Sequence, residues 1–377
     1  MIKRDYYLNK IALQFASHPV VALLGPRQCG KTTLARQFSG PQEEVHFFDL
    51  EDTRDLATLT NPHIALAGRT GLIVIDEVQR LPDLFPTLRV LVDELKNRRF
   101  LILGSASRDL IQQSSETLAG RIGYIEVHPF SLLEVHDTKR LHLLGGFPNS
   151  YLHPETGFDW LEQYVRTFLE RDIPNLGFSI PPITMRRFWT MLAHYHGNTF
   201  NASEIGASLG VSDHTIKKYL DILSGTFMVR QLYPWFANIG KRQLKRPKVY
   251  FTDSGIFHHL LDIHTQEQLM RNPKVGASFE GFAIEQIIRI FNKRSEDCYY
   301  WGIHQVGELD LFLTHNGQKL GFEFKFSDAP IATPSMHRAI EHLQLDKLFV
   351  IYPGDKKYPL SNKITVLPVH EIPTCLH

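Results

Sequence analysis

Residues 25–32 read GPRQCGKT and follow five apolar residues, VVALL, at 20–24. This is the pattern G-x-x-x-x-G-K-[ST] set between a buried strand and a helix that starts at Lys31. It restricts the chain to a fold in which a strand runs into a tight turn and then a helix. The chemistry requires these residue types. Glycines let backbone N–H groups wrap phosphate oxygens, and the helix N-terminus adds positive potential. Lys31 is placed to reach β- and γ-phosphates, and the Thr32 hydroxyl suits Mg²⁺. The expected nucleotide set is Gly25, Pro26, Arg27, Gln28, Cys29, Gly30, Lys31, Thr32 and Thr33, with ATP and Mg²⁺ as cofactors. Cys29 reads as a small filler.

Further strands are expected at 45–49, 72–75, 100–103 and 122–127. An amphipathic helix is expected over 83–97, where Leu84, Leu88, Leu91 and Leu95 recur at helical spacing. Strands alternating with helices predict a parallel sheet covered on both faces. LIVIDE at 72–77 leaves two carboxylates at the C-terminal end of a buried strand, where open α/β sheets bind ligands. Asp76 is expected to hold Mg²⁺ and Glu77 to polarise the attacking water. Ser105, after the fourth strand, is placed to touch the γ-phosphate and that water. Arg121 is placed to reach a neighbouring subunit's nucleotide as an arginine finger, with Arg108 as the alternative. The pattern is helical from Leu141 to Leu176, and Pro181-Pro182 marks a boundary.

Net charge is only +1 at pH 7, yet residues 181–275 hold twelve basic against six acidic side chains. A basic module suggests a polyanion partner. Within it, NASEIGASLGVSDHTIKKYLDILS (201–224) carries two helix patterns separated by Gly210. Strands at 227–233 and 248–252 would bracket a wing, and the whole looks like a winged helix. Lys217 and Lys218 on the second helix, with Lys241, Arg242, Lys245, Arg246 and Lys248 on the wing, are the expected DNA contacts. Such contacts would be salt-sensitive and show little sequence preference. Winged helices also serve as protein-contact modules, and both readings stand.

No apolar run reaches the ~18 residues a membrane helix needs, and residues 1–10 show no signal-peptide core. A cytoplasmic protein without membrane contact is expected. The three cysteines, Cys29, Cys298 and Cys375, form neither a disulfide framework nor a metal spacing. A GTPase is disfavoured because no N-K-x-D motif occurs. A small-molecule kinase is disfavoured by the additional basic segment.

Near the C-terminus, Asn316-Gly317 signals a two-residue hairpin. That turn would set His315 opposite Gln318, and hence Asp310 opposite Glu323 and Glu308 opposite Lys325. These four are expected on one face, with Leu309, Leu311, Phe322 and Phe324 on the other. Opposed like charges are destabilising, which a divalent metal would reverse. Upstream, Glu280 shares a helix face with Ile284, Ile287 and Phe291.

GPRQCGKTTL (25–34), LIVIDEVQR (72–80), LAGR (118–121), HPFSLLE (128–134), GGFP (145–148) and FLERDI (168–173) together resemble the AAA+ ATPases. The likeness is greatest to a bacterial and archaeal family in which an AAA+ core is fused to a C-terminal domain of unknown function. Cys29 stands where that family usually has a valine-like residue. The resemblance implies an α/β protein with a five-stranded parallel P-loop core over 1–140 and a helical lid over 141–180. It implies a ring-like homo-oligomer of six subunits, and offers Arg171 as a lid sensor. A winged helix (α+β) would fill 181–275, and an α/β nuclease-like domain 276–377. The last domain is similar to the restriction-endonuclease-like superfamily. On that likeness Glu280, Asp310 and Glu323 would ligate a second Mg²⁺ or Mn²⁺, with Lys325 as the catalytic lysine. Active cleavage and a retained fold without activity both remain open. The function expected is ATP hydrolysis on or with DNA, in repair, recombination or defence. The alternative is a regulatory ATPase whose later domains contact protein.

Overall fold

The computed structural model describes residues 2–94, 97–105, 114, 116–235 and 246–375. The chain forms two compact units, one of residues up to 129 with 225–227, the other of 130–224 with 228 onward.

The first unit is built on β1 (Val20–Leu24), β2 (Val45–Asp49), β3 (Gly71–Asp76), β4 (Arg98–Gly104) and β5 (Ile122–Glu126), in the order β2-β3-β4-β1-β5. All neighbouring pairs are parallel. β1 lies between β4 and β5 and is wholly buried, which is why its five residues are apolar without alternation. Helix Leu84–Glu94 turns Leu84, Phe85, Leu88, Leu91 and Val92 into the core beside Ile73 and Ile75 of β3. Its described residues fall within the expected span, whose Leu95 lies outside the described residues. Most of the helix expected before Leu118, including Arg108, also lies outside them.

The second unit opens with helices Thr138–Leu144, Pro148–Leu152 and Gly157–Thr167, then a π turn over Phe168–Asp172 that carries Arg171 exposed. Helices Ala202–Leu209 and Asp213–Gly225 follow, with the turn made by Gly210 at φ 69°. That left-handed backbone is one a glycine adopts without penalty. The second of these helices buries Ile216, Tyr219, Leu220 and Leu223, as its spacing predicts.

One sheet of eight strands runs through the rest: β6 (Val229–Pro234), β7 (Lys248–Phe251), β8 (Cys298–Ile303), β9 (Gly307–His315), β10 (Gln318–Phe324), β11 (Lys347–Tyr352), β12 (Tyr358–Pro359) and β13 (Ile364–Pro368). Their order is β12-β13-β11-β10-β9-β8-β6-β7. β6 pairs with β8 in parallel, so the β6–β7 pair continues the C-terminal sheet. Helix Val275–Ile290 buries twelve of its sixteen residues, as a helix covered nearly all round must.

The β9–β10 hairpin has the expected register, His315 opposite Gln318 through Leu311 opposite Phe322. Asn316 and Gly317 both have positive φ, the requirement of a type I′ turn. The expected division of faces is corrected at Leu309. The β8–β9 register shifts between Tyr299, opposite Phe312, and Trp301, opposite Leu309, leaving two β9 residues against Tyr300. This bulge resets the alternation. Leu309 joins Phe312, Met336 and Leu343 in one apolar cluster, whereas Phe322 stands against Phe291 at the end of helix 275–290. Among the described residues, no helix is long and apolar enough to cross a membrane.

Candidate functional site

In the first unit, β1 delivers the chain into the loop 25–30, and helix Lys31–Ser39 leaves it. Gly25 is required by a close approach: a Cβ there would lie 2.0 Å from the Val127 carbonyl oxygen. Gln28 (φ 59°) and Gly30 (φ 97°) give the loop its left-handed turns, the backbone form that gathers N–H groups into an anion nest. Cys29 is fully buried, its Sγ 3.2 Å from the Val127 carbonyl, which fits the filler reading. The Lys31 ammonium is held over the loop by the carbonyls of Gly25 (3.0 Å) and Pro26 (2.9 Å). Arg27 at the loop's rim pairs with Glu51 at 2.6 Å, and Thr33 is exposed on the helix.

β3 carries Asp76 to the same sheet edge. Thr32 Oγ1 donates to Asp76 Oδ2 at 2.6 Å, so a hydroxyl and a carboxylate stand side by side. Oxygen donors of this kind suit Mg²⁺ bound to nucleotide phosphates. Burial raises the Asp76 pKa, opposed by the Thr32 bond. Glu77 follows in the left-handed region at φ 54°, a conformation that costs a non-glycine residue about 1–3 kcal/mol. Burial raises the Glu77 pKa as well, with Lys31 the main opposing charge.

Sequence reasoning missed Gln79. Its Nε2 donates both to Glu77 Oε2 and, at 3.1 Å, to Ser105 Oγ, linking the ends of β3 and β4. Its Oε1 is buried without a hydrogen-bond partner among the described residues. The signal was its place two residues beyond Glu77. Ser105 therefore lies beside the expected base, where the strand order places it.

Arg121 precedes β5 at the opposite end of the sheet. β5 runs parallel to β1, with Ile122 beside Val20 and Glu126 beside Leu24, so the strand length separates Arg121 from the loop by roughly 17 Å. It forms a two-pronged bond to Asp93 at 2.8 and 2.9 Å.

In the second unit, Lys217 and Lys218 are exposed, the former 3.2 Å from Asp213. Arg246 is also exposed. Lys241, Arg242 and Lys245 lie outside the described residues. Lys248 needs correction: it is not a wing charge but a buried residue of β7, 6% exposed. Its ammonium bonds Glu308 and lies 3.9 Å from Asp310 and 4.0 Å from Glu280. Burial alone would lower its pKa, but Asp310, Glu280 and Glu308 outweigh this and raise it.

The acidic cluster is thus larger than expected and contains its own cation. Tyr250 donates to Glu280 at 2.5 Å. Lys325 bonds Glu323 at 2.7 Å. Asp310 Oδ2 accepts from the Phe324 N–H at 3.0 Å. Burial, then Asp310, pushes Glu280 up to about 7 and Glu323 up to about 8. Burial raises Asp310 too, against Lys248. Glu323 Oε2 has no hydrogen-bond partner among the described residues. Among those residues, no group of three or more His, Cys, Asp or Glu side chains is arranged to hold a metal ion.

A parallel five-stranded sheet, a P-loop at the end of an interior strand, and a Thr–Asp–Glu set beside it define an AAA-type ATPase. A family model described as an AAA domain matches residues 17–136. Two others, both described as domains of unknown function, DUF8612 and DUF4143, match 135–267 and 275–372. Over 361 residues the chain is 47% identical to an uncharacterized protein of Mycobacterium tuberculosis, covering 94% of this chain and 81% of that protein. The chain belongs to the same family. It is also 24% identical over 301 residues to an uncharacterized protein of Haemophilus influenzae, covering 69% and 74% of the two chains. Among solved structures, the Walker-type ATPase PABY2304 of Pyrococcus abyssi matches with a TM-score of 0.50 at 16% identity. That match covers 69% of this chain and 96% of the other, a likeness of fold.

Proposed function

We propose that this ATPase works as a homo-oligomer acting on or with DNA, with Lys31 and Thr32 binding Mg·ATP, Asp76 holding the metal and Glu77 activating water. Ser105 would contact the γ-phosphate and the water. Arg121 would act on a neighbour's nucleotide, since roughly 17 Å of strand separates it from its own loop. Six subunits is the number the AAA+ resemblance implies. The single observation that carries the DNA reading is the charge excess over 181–275. In this reading helices 202–209 and 213–225 with β6 and β7 are a winged helix, and Lys217, Lys218, Lys241, Arg242, Lys245 and Arg246 touch phosphate.

The test is anisotropy of labelled duplex DNA from 50 to 200 mM salt. Changing Lys241, Arg242, Lys245 and Arg246 together to Ala should reduce the log–log salt slope by about 3–4. Unchanged binding and slope would remove the segment from the interface.

The burial of Lys248 favours a second reading for residues 276–377. A nuclease-like site would gather Glu280, Asp310 and Glu323 on Mg²⁺ or Mn²⁺ with Lys325 beside it. Here the Lys248 ammonium already stands beside Glu280 and Asp310, which supports a nuclease-like domain used for protein contact. Calorimetric titration with Mn²⁺ and an assay for DNA nicking separate the two. Binding lost in Asp310→Ala with nicking lost in Lys325→Ala supports cleavage, and silence in both assays supports contact.

A further inference from the structure

The loop that receives phosphate is gripped from outside by the segment preceding helix Asp5–Phe15. Arg4 is 3% exposed, and its guanidinium is divided between two carbonyls of the site's framework. Nη1 donates to the Cys29 carbonyl at 2.9 Å, and Nη2 to the His128 carbonyl at 2.7 Å. The first lies within the P-loop. The second lies one residue beyond Val127, whose carbonyl packs on Gly25 and accepts from Cys29 Sγ. The Tyr7 hydroxyl accepts from the His128 N–H at 3.1 Å, and the Tyr7 ring lies 4.5 Å from the Arg4 guanidinium. Gln37, on the helix that leaves the loop, ties in the same segment by donating to the Ile2 carbonyl at 3.1 Å.

Peptide planarity converts this grip into a statement about phosphate binding. The Cys29 carbonyl and the Gly30 N–H belong to one peptide unit, and no peptide bond among the described residues is cis. In a trans unit the two groups point in opposite directions. Fixing the carbonyl on Arg4 therefore fixes the Gly30 N–H facing away from the N-terminal helix. A glycine at φ 97° has little of its own to hold that orientation.

We propose that Arg4 is a positioning residue for nucleotide, aiming the Gly30 N–H at the β-phosphate by holding the far end of the same peptide. Arg4 touches neither nucleotide nor water. Its contribution is a pre-formed nest, and it applies to ADP and ATP alike, because both carry the β-phosphate.

The experiment uses the full chain with Arg4→Met, which keeps the aliphatic stem and removes the donors. Titration with fluorescent ADP and steady-state ATP hydrolysis are measured beside thermal stability. A charge-assisted hydrogen bond of this kind leads us to expect the ADP Kd and the ATP KM to rise about tenfold, with kcat within about twofold of wild type. Arg4→Lys, which retains a charge and a single donor nitrogen, should fall between the two. Tyr7→Phe loosens the His128 peptide without touching Cys29, and should leave Kd unchanged. Wild-type affinity in folded Arg4→Met overturns the proposal. So does an equal loss in Tyr7→Phe, which would assign the effect to general packing of the N-terminal helix. Where Arg4→Met does not fold, Arg4→Lys decides, and wild-type affinity there also overturns it.

Discussion

Replacing Lys248 with alanine should destabilise the second unit by about 3–5 kcal/mol at pH 8, the range found when one member of a buried ion pair is removed. The structure supports the range through three carboxylates. Lys248 bonds Glu308 and stands 3.9 and 4.0 Å from Asp310 and Glu280. Glu308 is 48% exposed, so solvent screens its share. Asp310 and Glu280, at 14% and 20%, carry most of the effect. The deficit should depend on pH in a defined direction. Glu280 is pushed up to about 7 in the folded protein, mainly by burial and then by Asp310, and the Lys248 charge opposes both. Without that charge the folded pKa rises further. A carboxyl with a raised folded pKa holds more protons folded than unfolded, so stability falls as pH climbs from the ordinary carboxylate range to the folded pKa. In the variant that fall continues beyond 7, at up to about 1.4 kcal/mol per pH unit per group. The deficit is therefore larger at pH 8 than at pH 5.5. Urea unfolding followed by tryptophan fluorescence reads it selectively, because Trp160, Trp189, Trp235 and Trp301, the chain's four tryptophans, all lie in the second unit. An unchanged midpoint at pH 8, or a larger deficit at pH 5.5, would refute the argument.

Lys31→Ala should weaken nucleotide affinity in a binding titration, since it removes the charge that the Gly25 and Pro26 carbonyls hold over the loop. Glu77→Gln should bind ATP normally yet turn over at least about 100-fold more slowly in a phosphate-release assay; wild-type turnover would sink its assignment. Gln79→Leu removes the link between Glu77 and Ser105, so kcat should fall roughly tenfold with the ATP KM unchanged. Arg121→Ala should retain ATP binding and lose hydrolysis, and mixing it with Glu77→Gln subunits should restore part of the activity; a fully active monomer on sizing would contradict the role in trans.

The elements legible in the sequence were those set by neighbouring residues. VVALL and LIVIDE each mark a buried strand and GPRQCGKT the turn into a helix, and the structure places these elements as read. The hairpin register was legible because Asn316-Gly317 fixes the turn and the turn fixes every pair. What escaped depended on partners far along the chain. Lys248 reads as one more charge in a basic run until β7 brings it to Glu280 and Asp310. Leu309 obeys a period of two until a bulge opposite Tyr300, set by pairing with β8, resets it. Arg4 looks like an ordinary basic residue in a mixed segment, and only folding brings it to Cys29.

The parallel pairing of β6 with β8 also bears on how this chain can be divided or recombined. The two family models for the second unit meet between residues 267 and 275, which invites excision of either part. A cut there would strip β8 of its neighbour and expose its backbone edge to other chains. It would separate the buried Arg230–Glu285 pair, leaving Glu285 with Arg289 at 3.6 Å as its remaining buried cation on that fragment. It would also divide the acidic cluster, with Lys248 and Tyr250 on one fragment and Glu280, Asp310 and Glu323 on the other. Chimeras between relatives should therefore exchange residues 130–375 as one piece, and descent should have kept the two parts in step.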